Sequence, residues 1–247
     1  MSPLLEFAIH TAVMGGKSTL QFFRNAEIQL KADQSPVTIA DLQAEALIRD
    51  EIRKWYPEHG IYGEEEGASG DRSQQWLIDP IDGTKSYMSG VPLFSTLLSF
   101  EQDGDPVVGV AYFPASDELL YAERGEGAYY QHRPAQVMQE IDPQRCMLCC
   151  GAPTRLRDQG KLDPLLDLAD TYQGLRTWSD AYGHAMVASG RAPLMVDPLV
   201  QPYDISAMRL IVAEAGGMCT NYAGGKAGPE AISFAPGLAD WVERTFR

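Results

Sequence analysis

Layers of α-helix packed against β-strands are the fold class this sequence predicts. Two observations carry it. Apolar residues recur at helical spacing near the N-terminus and again before Gly216-Gly217, while four short apolar runs between Trp76 and Ala122 have the length and composition of strands. Residues 3–24 place Leu4, Leu5, Ala8, Ile9, Ala12, Leu20 and Phe23 along one helical stripe, with Gly15-Gly16 weakening its middle. Asp41 to Tyr56 repeats the pattern through Leu42, Ala46, Ile48, Ile52 and Trp55, and Pro57 stops it. Strands are expected at Trp76–Ile78, Phe94–Phe100, Val107–Phe113 and Leu119–Ala122, and Gly104-Asp105 predicts a hairpin or meander between the second and third. A helix from near Asp163 to around Gly174 follows, then a helix over Ala181–Ser189 and a strand at Leu194–Val196. The last clear helix is Ile205–Ala215, closed by Gly216-Gly217. Without a repeat, a low-complexity tract or a linker, residues 1–247 read as a single domain.

A chain of 247 residues is long enough to bury a sizeable core, and 45% apolar with 22% charged residues is the balance of a water-soluble protein. The net charge of −14 argues against nucleic acid or an anionic membrane as partner, because both need clustered Lys and Arg. An acidic protein acting on an anionic substrate would need cations to offset its own field. The opening residues lack a basic segment followed by an apolar core, so no secretory signal is expected, and no run is long enough to span a bilayer. Cys146-x-x-Cys149 has metal or redox spacing, but it lies in an apolar run with Cys150, far from Cys219, with no second pair and no His nearby. Buried strand cysteines and a reducing cytoplasm are the expectation.

Chemistry concentrates in Trp76-Leu-Ile-Asp79-Pro-Ile81-Asp82-Gly83-Thr84. A hard divalent cation takes oxygen ligands, and Asp79, Asp82 and the Ile81 carbonyl offer three. The N–H groups of Gly83 and Thr84, at a helix start, would face an anion. Taken alone the segment also reads as an Asp-rich turn with a helix cap. Gly63-Glu64-Glu65-Glu66-Gly67 alone reads as a solvated loop. Asp41, at the start of the second helix, and Asp204, just before the last, read as charges favoured by a helix dipole. His59 and His132 read as surface residues, and His184 as packing on its helix.

In this order the pieces resemble the inositol monophosphatase superfamily of metal-dependent phosphate monoesterases: Lys31-x-Asp33-x-Ser-Pro-Val-Thr-x-Ala-Asp41, Gly63-Glu64-Glu65, Asp79-Pro-Ile-Asp82-Gly-Thr84, and Asp204 followed by Glu214-Ala-Gly-Gly217. The likeness spans nearly the whole chain. It implies an α-β-α-β-α sandwich, a homodimer, and two or three Mg²⁺ ions as cofactors. By that resemblance Glu64, Asp79 and the Ile81 carbonyl hold a first ion, and Asp79, Asp82 and Asp204 a second. Glu64 would hold a third through water, with Glu65 beside it. Asp41 and Thr84 resemble the pair that orients the attacking water, and the Lys31–Asp33 segment the loop that closes near the third metal. An all-oxygen ligand set without His or Cys suits Mg²⁺ rather than Zn²⁺. The reaction implied is among the slowest uncatalysed ones, so the site must supply a stabilisation on the order of 20 kcal/mol. The transition state is spread negative charge, which cations and N–H groups can meet.

For the substrate, a phosphate monoester, three stretches resemble the histidinol-phosphate phosphatase branch: Lys85-Ser86-Tyr87 with Gly90 to Phe94, Trp178-Ser179-Asp180-Ala-Tyr182-Gly183-His184, and Val196-Asp197-Pro198. Histidinol phosphate carries an ammonium and an imidazole, so its pocket should offer carboxylates. Asp180 and Asp197 are the candidates, with Gly83 and Thr84 on the phosphate. Asp180 also reads as an N-cap before Ala181. Two positions depart from the pattern, Tyr203 where the family mostly has Trp and Ser179 where the branch has Gly. An inositol 1-phosphate or sugar-phosphate phosphatase is the alternative, then a 3′-phosphoadenosine 5′-phosphate phosphatase. A non-catalytic binding protein on the same fold should have lost one of Glu64, Asp79, Asp82, Thr84 or Asp204, and all five are present.

Overall fold

Both predicted N-terminal helices form where an apolar stripe has a sheet to cover. The computed structural model describes residues 1–25, 28–30 and 36–246, so Lys31 and Asp33 lie outside the described residues. Helix α1 (Pro3–Thr19) begins at Ser2, whose Oγ accepts the Leu5 N–H at 3.2 Å. It ends before its predicted limit, because Phe22 and Phe23 leave in turns to pack on Tyr87 and Phe94. Helix α1 runs unbroken through Gly15-Gly16. A Cβ at Gly15 would lie 2.6 Å from Ile48 and one at Gly16 2.6 Å from Tyr112, so the pair marks where α1 meets its neighbours most closely.

Strands β1 (Ile28–Leu30) and β2 (Pro36–Thr38) form an antiparallel ribbon ahead of α2 (Ile39–Trp55). The large sheet is built from β3 (Gly60–Gly63), β4 (Gly67–Ser69), β5 (Gln74–Asp82), β6 (Ser95–Gln102), β7 (Asp105–Phe113), β8 (Glu118–Glu123), β9 (Ala128–Tyr130) and β10 (Arg133–Pro134). Its spatial order is β10-β9-β8-β7-β6-β5-β3-β4, antiparallel except between β3 and β5. The expected hairpin is the β6–β7 turn, where Gln102 faces Asp105. A short helix α3 (Thr84–Met88) separates β5 from β6. The second sheet contains β11 (Leu148–Cys150), β12 (Leu175–Arg176), β13 (Leu194–Asp197), β14 (Met218–Thr220) and β15 (Ala231–Phe234), in the order β12-β11-β13-β15-β14. The remaining helices are α4 (Pro153–Asp158), α5 (Leu162–Ala169), α6 (Asp180–Ala188), α7 (Pro202–Glu214) and α8 (Ala239–Phe246).

Side-chain alternation along the strands sorts these elements into five layers. On one face of the large sheet, Trp76, Ile78, Leu98, Val108 and Val110 pack with α1 and α2 residues such as Ala8, Ala12 and Ile48. On the other face, Leu97, Ala111, Phe113 and Leu120 meet Ala185, Met208 and Ile211 of α6 and α7, which also touch Cys149 and Met195 of the second sheet. Beyond that sheet, Cys150, Leu194, Val196 and Ile232 pack on Leu156, Leu165, Val242 and Phe246 of α4, α5 and α8. The order is α-β-α-β-α, as the resemblance implies. The cysteines are free, with Cys149 and Cys150 on opposite faces of β11. Among the described residues no helix is long and apolar enough to cross a membrane.

Two expectations need correction. Strand β5 does not stop at Ile78 but runs to Asp82, because its last buried positions are carboxylates, which no apolar pattern reports. Ile205–Ala215 is not the last helix, since α8 follows. Its Val242 and Phe246 are buried, with Ala239 and Trp241 partly buried against the same core.

Helix α7 sits on β7 at backbone distance. A Cβ on Gly109 would meet the Ala207 carbonyl at 2.8 Å and its Cα at 3.1 Å. Gly109→Ala should therefore destabilise the protein by about 1–3 kcal/mol through overpacking. A denaturant midpoint equal to the parent's would refute this account of the α7 contact.

Candidate active site

Asp79 and Asp82 flank a bulge in β5. Asp79 pairs with Leu97 and Asp82 with Ser95, so three steps on β5 face two on β6. Thr96 Oγ1 donates to the Pro80 carbonyl at 2.8 Å and Thr84 Oγ1 to the Ile81 carbonyl at 3.1 Å, which pins the bulge at both carbonyls. Gly83 follows with φ 81°. A Cβ there would be strained and would lie 3.0 Å from Asp180 Oδ2, so glycine is required where Asp180 approaches this turn. Asp82 Oδ2 accepts the Ser95 hydroxyl at 3.1 Å and the Ala181 N–H at 2.8 Å.

Glu64 leaves the end of β3, with its N–H on the Ile78 carbonyl at 3.1 Å. Asp204 lies inside the first turn of α7 rather than before the helix, and its Oδ2 accepts the Gln201 N–H at 2.7 Å. Asp41 occupies the equivalent place in α2, where its Oδ2 takes both the N–H and the hydroxyl of Thr38, at 2.7 and 2.6 Å. Glu64, Asp79, Ile81, Asp82, Gly83, Thr84, Lys85, Asp180 and Asp204 wall one cavity of about 380 Å³. Asp41 and Asp197 are buried outside this wall. A larger cavity of about 720 Å³, lined by Tyr62, Leu77, Val200 and Ile205, is mostly apolar and holds none of these aspartates.

Burial and mutual repulsion push the acids toward their neutral forms. Asp79 is raised well above the ordinary carboxylate range by burial first, then by Glu64, Asp82 and Asp204. Asp82 is raised by burial, then by Asp180 and Asp204, against the Ala181 and Ser95 hydrogen bonds. Burial carries Asp204 up to about 7, with Glu64 adding to it and hydrogen bonds from Gln201 and Asp79 opposing it. Asp41 is raised by burial despite Thr38. Burial also raises Asp180, with Ser179 and Lys85 pulling it back.

A cation would relieve this repulsion, and the donors fit one. They are all oxygens, and Asp79 Oδ1 and Asp41 Oδ1 are buried without a hydrogen-bond partner. Among the described residues no three His, Cys, Asp or Glu side chains already converge as a metal cage.

The structure brings most of the predicted residues together and corrects several readings. Thr84 donates to Ile81, and no Thr84–Asp41 hydrogen bond is present among the described residues. Asp180 is not the N-cap of α6; Ser179 holds that position, and Asp82 takes the Ala181 N–H instead. Ser179, the departure from the branch pattern, donates its hydroxyl to Asp180 Oδ2 at 3.2 Å. Tyr203, the other departure, packs edge-on against Tyr62 at 5.5 Å. His59 is half-buried rather than superficial, stacked with Tyr56 and Phe100 and accepting from Trp76 Nε1 at 3.1 Å. His184 ties α6 to β15 through Ser233 at 2.7 Å, and burial pushes its imidazole down to about 3. The sequence reading missed Thr38, Ser95, Glu45 and Arg49. Glu45 and Arg49 are phased with Ala44, Ile48 and Ile52 on the buried face of α2, and charge on an apolar stripe is the signal that would have found them.

The inositol monophosphatase family model matches residues 1–242. The chain is 41% identical to the histidinol-phosphatase of Chlorobaculum parvum over 228 residues, covering 91% of this chain and 88% of that protein. It is 35% identical to the inositol-1-monophosphatase of Mesorhizobium japonicum over 233 residues, again 91% and 88%. The fold superposes on the extragenic suppressor protein suhB of Bartonella henselae with a TM-score of 0.92, at 29% identity and covering 100% of this chain and 99% of that one. The chain belongs to the inositol monophosphatase family, and is a phosphatase that hydrolyses phosphate monoesters.

Proposed function

We propose that this phosphatase is a cytoplasmic, homodimeric, Mg²⁺-dependent enzyme acting on histidinol phosphate. Glu64, Asp79, the Ile81 carbonyl, Asp82 and Asp204 would hold the ions. Bound there, Mg²⁺ supplies charge neutralisation of the phosphoryl group and a lowered pKa for the attacking water. The chain's own groups do the rest. The Gly83 and Thr84 N–H groups receive phosphate oxygens. The Thr84 hydroxyl is anchored on Ile81 and keeps lone pairs to accept a water hydrogen, and Asp41 Oδ1 orients the same water for in-line attack.

Asp180 carries the substrate assignment. It is a non-glycine residue at φ 57°, and its carboxylate is set against Gly83 on the cavity wall. Strain of this kind persists where the surroundings impose it, commonly at ligand sites. A carboxylate there suits the ammonium or imidazole of histidinol phosphate. The 41% identity to a histidinol-phosphatase supports the same reading. Phosphate release on histidinol phosphate, inositol 1-phosphate and 3′-phosphoadenosine 5′-phosphate tests it, with a preference of roughly a hundredfold in kcat/KM expected for the first. A flat profile would make the protein a generalist phosphatase.

Asp180→Ala should lower kcat/KM for histidinol phosphate by roughly 10- to 100-fold, the range for a hydrogen bond to a charged group, and leave inositol 1-phosphate within about threefold. Equal losses would remove Asp180 from the specificity pocket. Inositol 1-phosphate is the second reading, supported by the 35% identity to an inositol-1-monophosphatase.

A further inference from the structure

We infer that the buried Glu45–Arg49 pair is a positioning device that sets Glu64 at the cavity. The pair lies on α2, one turn apart, with the Arg49 Nε bonded to Glu45 Oε1 at 2.7 Å and both side chains out of contact with solvent. The pair also bonds the turn that carries Glu64. Glu45 Oε2 accepts the Glu65 N–H at 2.8 Å, and Oε1 accepts the Glu66 N–H at 3.0 Å. The Arg49 Nη2 donates to the Gly67 carbonyl at 2.6 Å. On the other side of Glu64, Gly63 leaves room for the clamp, since a Cβ there would lie 2.2 Å from Glu45 Oε1.

The backbone is thus fixed on both sides of Glu64 by one buried acid, one buried guanidinium and the Ile78 carbonyl. Two apolar side chains would fill the same space without the desolvation cost, so stability alone is a weak reason for an ion pair here. What apolar groups cannot do is accept two successive turn N–H groups and cap a third residue. That directional capacity defines where Glu64 can stand, as groups behind a metal ligand do.

The inference rests on Glu64 being a metal ligand, and the test separates the two. Mg²⁺ affinity would be measured by calorimetry on Glu45→Gln, Glu64→Gln and Leu165→Ala, the last a core change in α5 away from the site. Glu45→Gln should weaken Mg²⁺ by roughly tenfold or more, and excess Mg²⁺ should return its kcat to within about threefold of the parent. Leu165→Ala should lower the melting temperature without moving Mg²⁺ affinity. If Glu64→Gln weakens Mg²⁺ and Glu45→Gln does not, Glu45 is merely structural and the inference falls. If Glu64→Gln leaves Mg²⁺ affinity unchanged, the ligand assignment itself falls. Should Glu45→Gln fail to fold, Glu45→Asp carries the test. It keeps the charge beside Arg49 but is one methylene short of the turn, and parent-like affinity in it overturns the inference.

Discussion

Asp82→Asn is expected to lose at least roughly a thousandfold in kcat/KM, about 4 kcal/mol, while the metal-free protein loses little stability. The reason lies in what Asp82 already holds. Its Oδ2 accepts both the Ala181 N–H and the Ser95 hydroxyl. An Asn side chain must give its single oxygen to those donors to avoid a buried clash. Its NH₂ then takes the place of the other carboxylate oxygen, presenting hydrogens where a cation needs a lone pair. Burial, Asp180 and Asp204 already push Asp82 toward its neutral form, so a neutral Asn that keeps the two accepted hydrogen bonds costs the metal-free fold little. Circular dichroism with a melting curve, alongside phosphate release, checks both halves. Near-normal turnover would sink the assignment of Asp82 as a metal ligand.

Metal-free protein should melt at lower temperature as pH rises from about 5 to 7.5, and Mg²⁺ should reverse the fall. Asp204 and Asp197 are carried from an ordinary 3.8 up to about 7 in the fold. Between those values the native state holds these protons and the unfolded chain does not, so their contribution is greatest on the acid side and falls as pH rises, outweighing the single buried His184, which works the other way below its ordinary 6.5. Each such group contributes a slope of up to about 1.4 kcal/mol per pH unit. Mg²⁺ takes the place of protons, so its binding should release them and should stabilise more at pH 8 than at pH 5.5. At a hundred times its dissociation constant it adds about 2.7 kcal/mol, roughly 5–10 °C for a chain of this size. A metal-free melting temperature that holds level across this range would show that the acids are not held neutral.

The acid residues were readable because four short motifs stand in a fixed order, and the layers because helical stripes and strand runs alternate clearly along the chain. What stayed hidden was hidden for physical reasons. The end of β5 is buried but ionisable, so hydrophobicity stops at Ile78 while the strand continues. The Glu64 turn reads as solvated acid until Glu45 is seen beneath it. The Asp82–Ala181 hydrogen bond joins residues 99 apart, and no local pattern announces such a pair. Conversely, Gly15-Gly16 reads only as a weak point in a helix, and the close contact it makes with Ile48 and Tyr112 is not visible in the sequence.

That same long-range hydrogen bond bears on synthesis. The chain emerges N-terminus first, so Asp41, Glu64, Asp79 and Asp82 leave the ribosome well before Ala181 and Asp204 exist. The acids of the large sheet must then wait, without the partners from α6 and α7, for the last third of translation. Folding that depends on such distant pairings is slow. A metal held by these acids would therefore have no complete site until the nascent chain is nearly finished, and its uptake would mark the end of folding rather than guide its start.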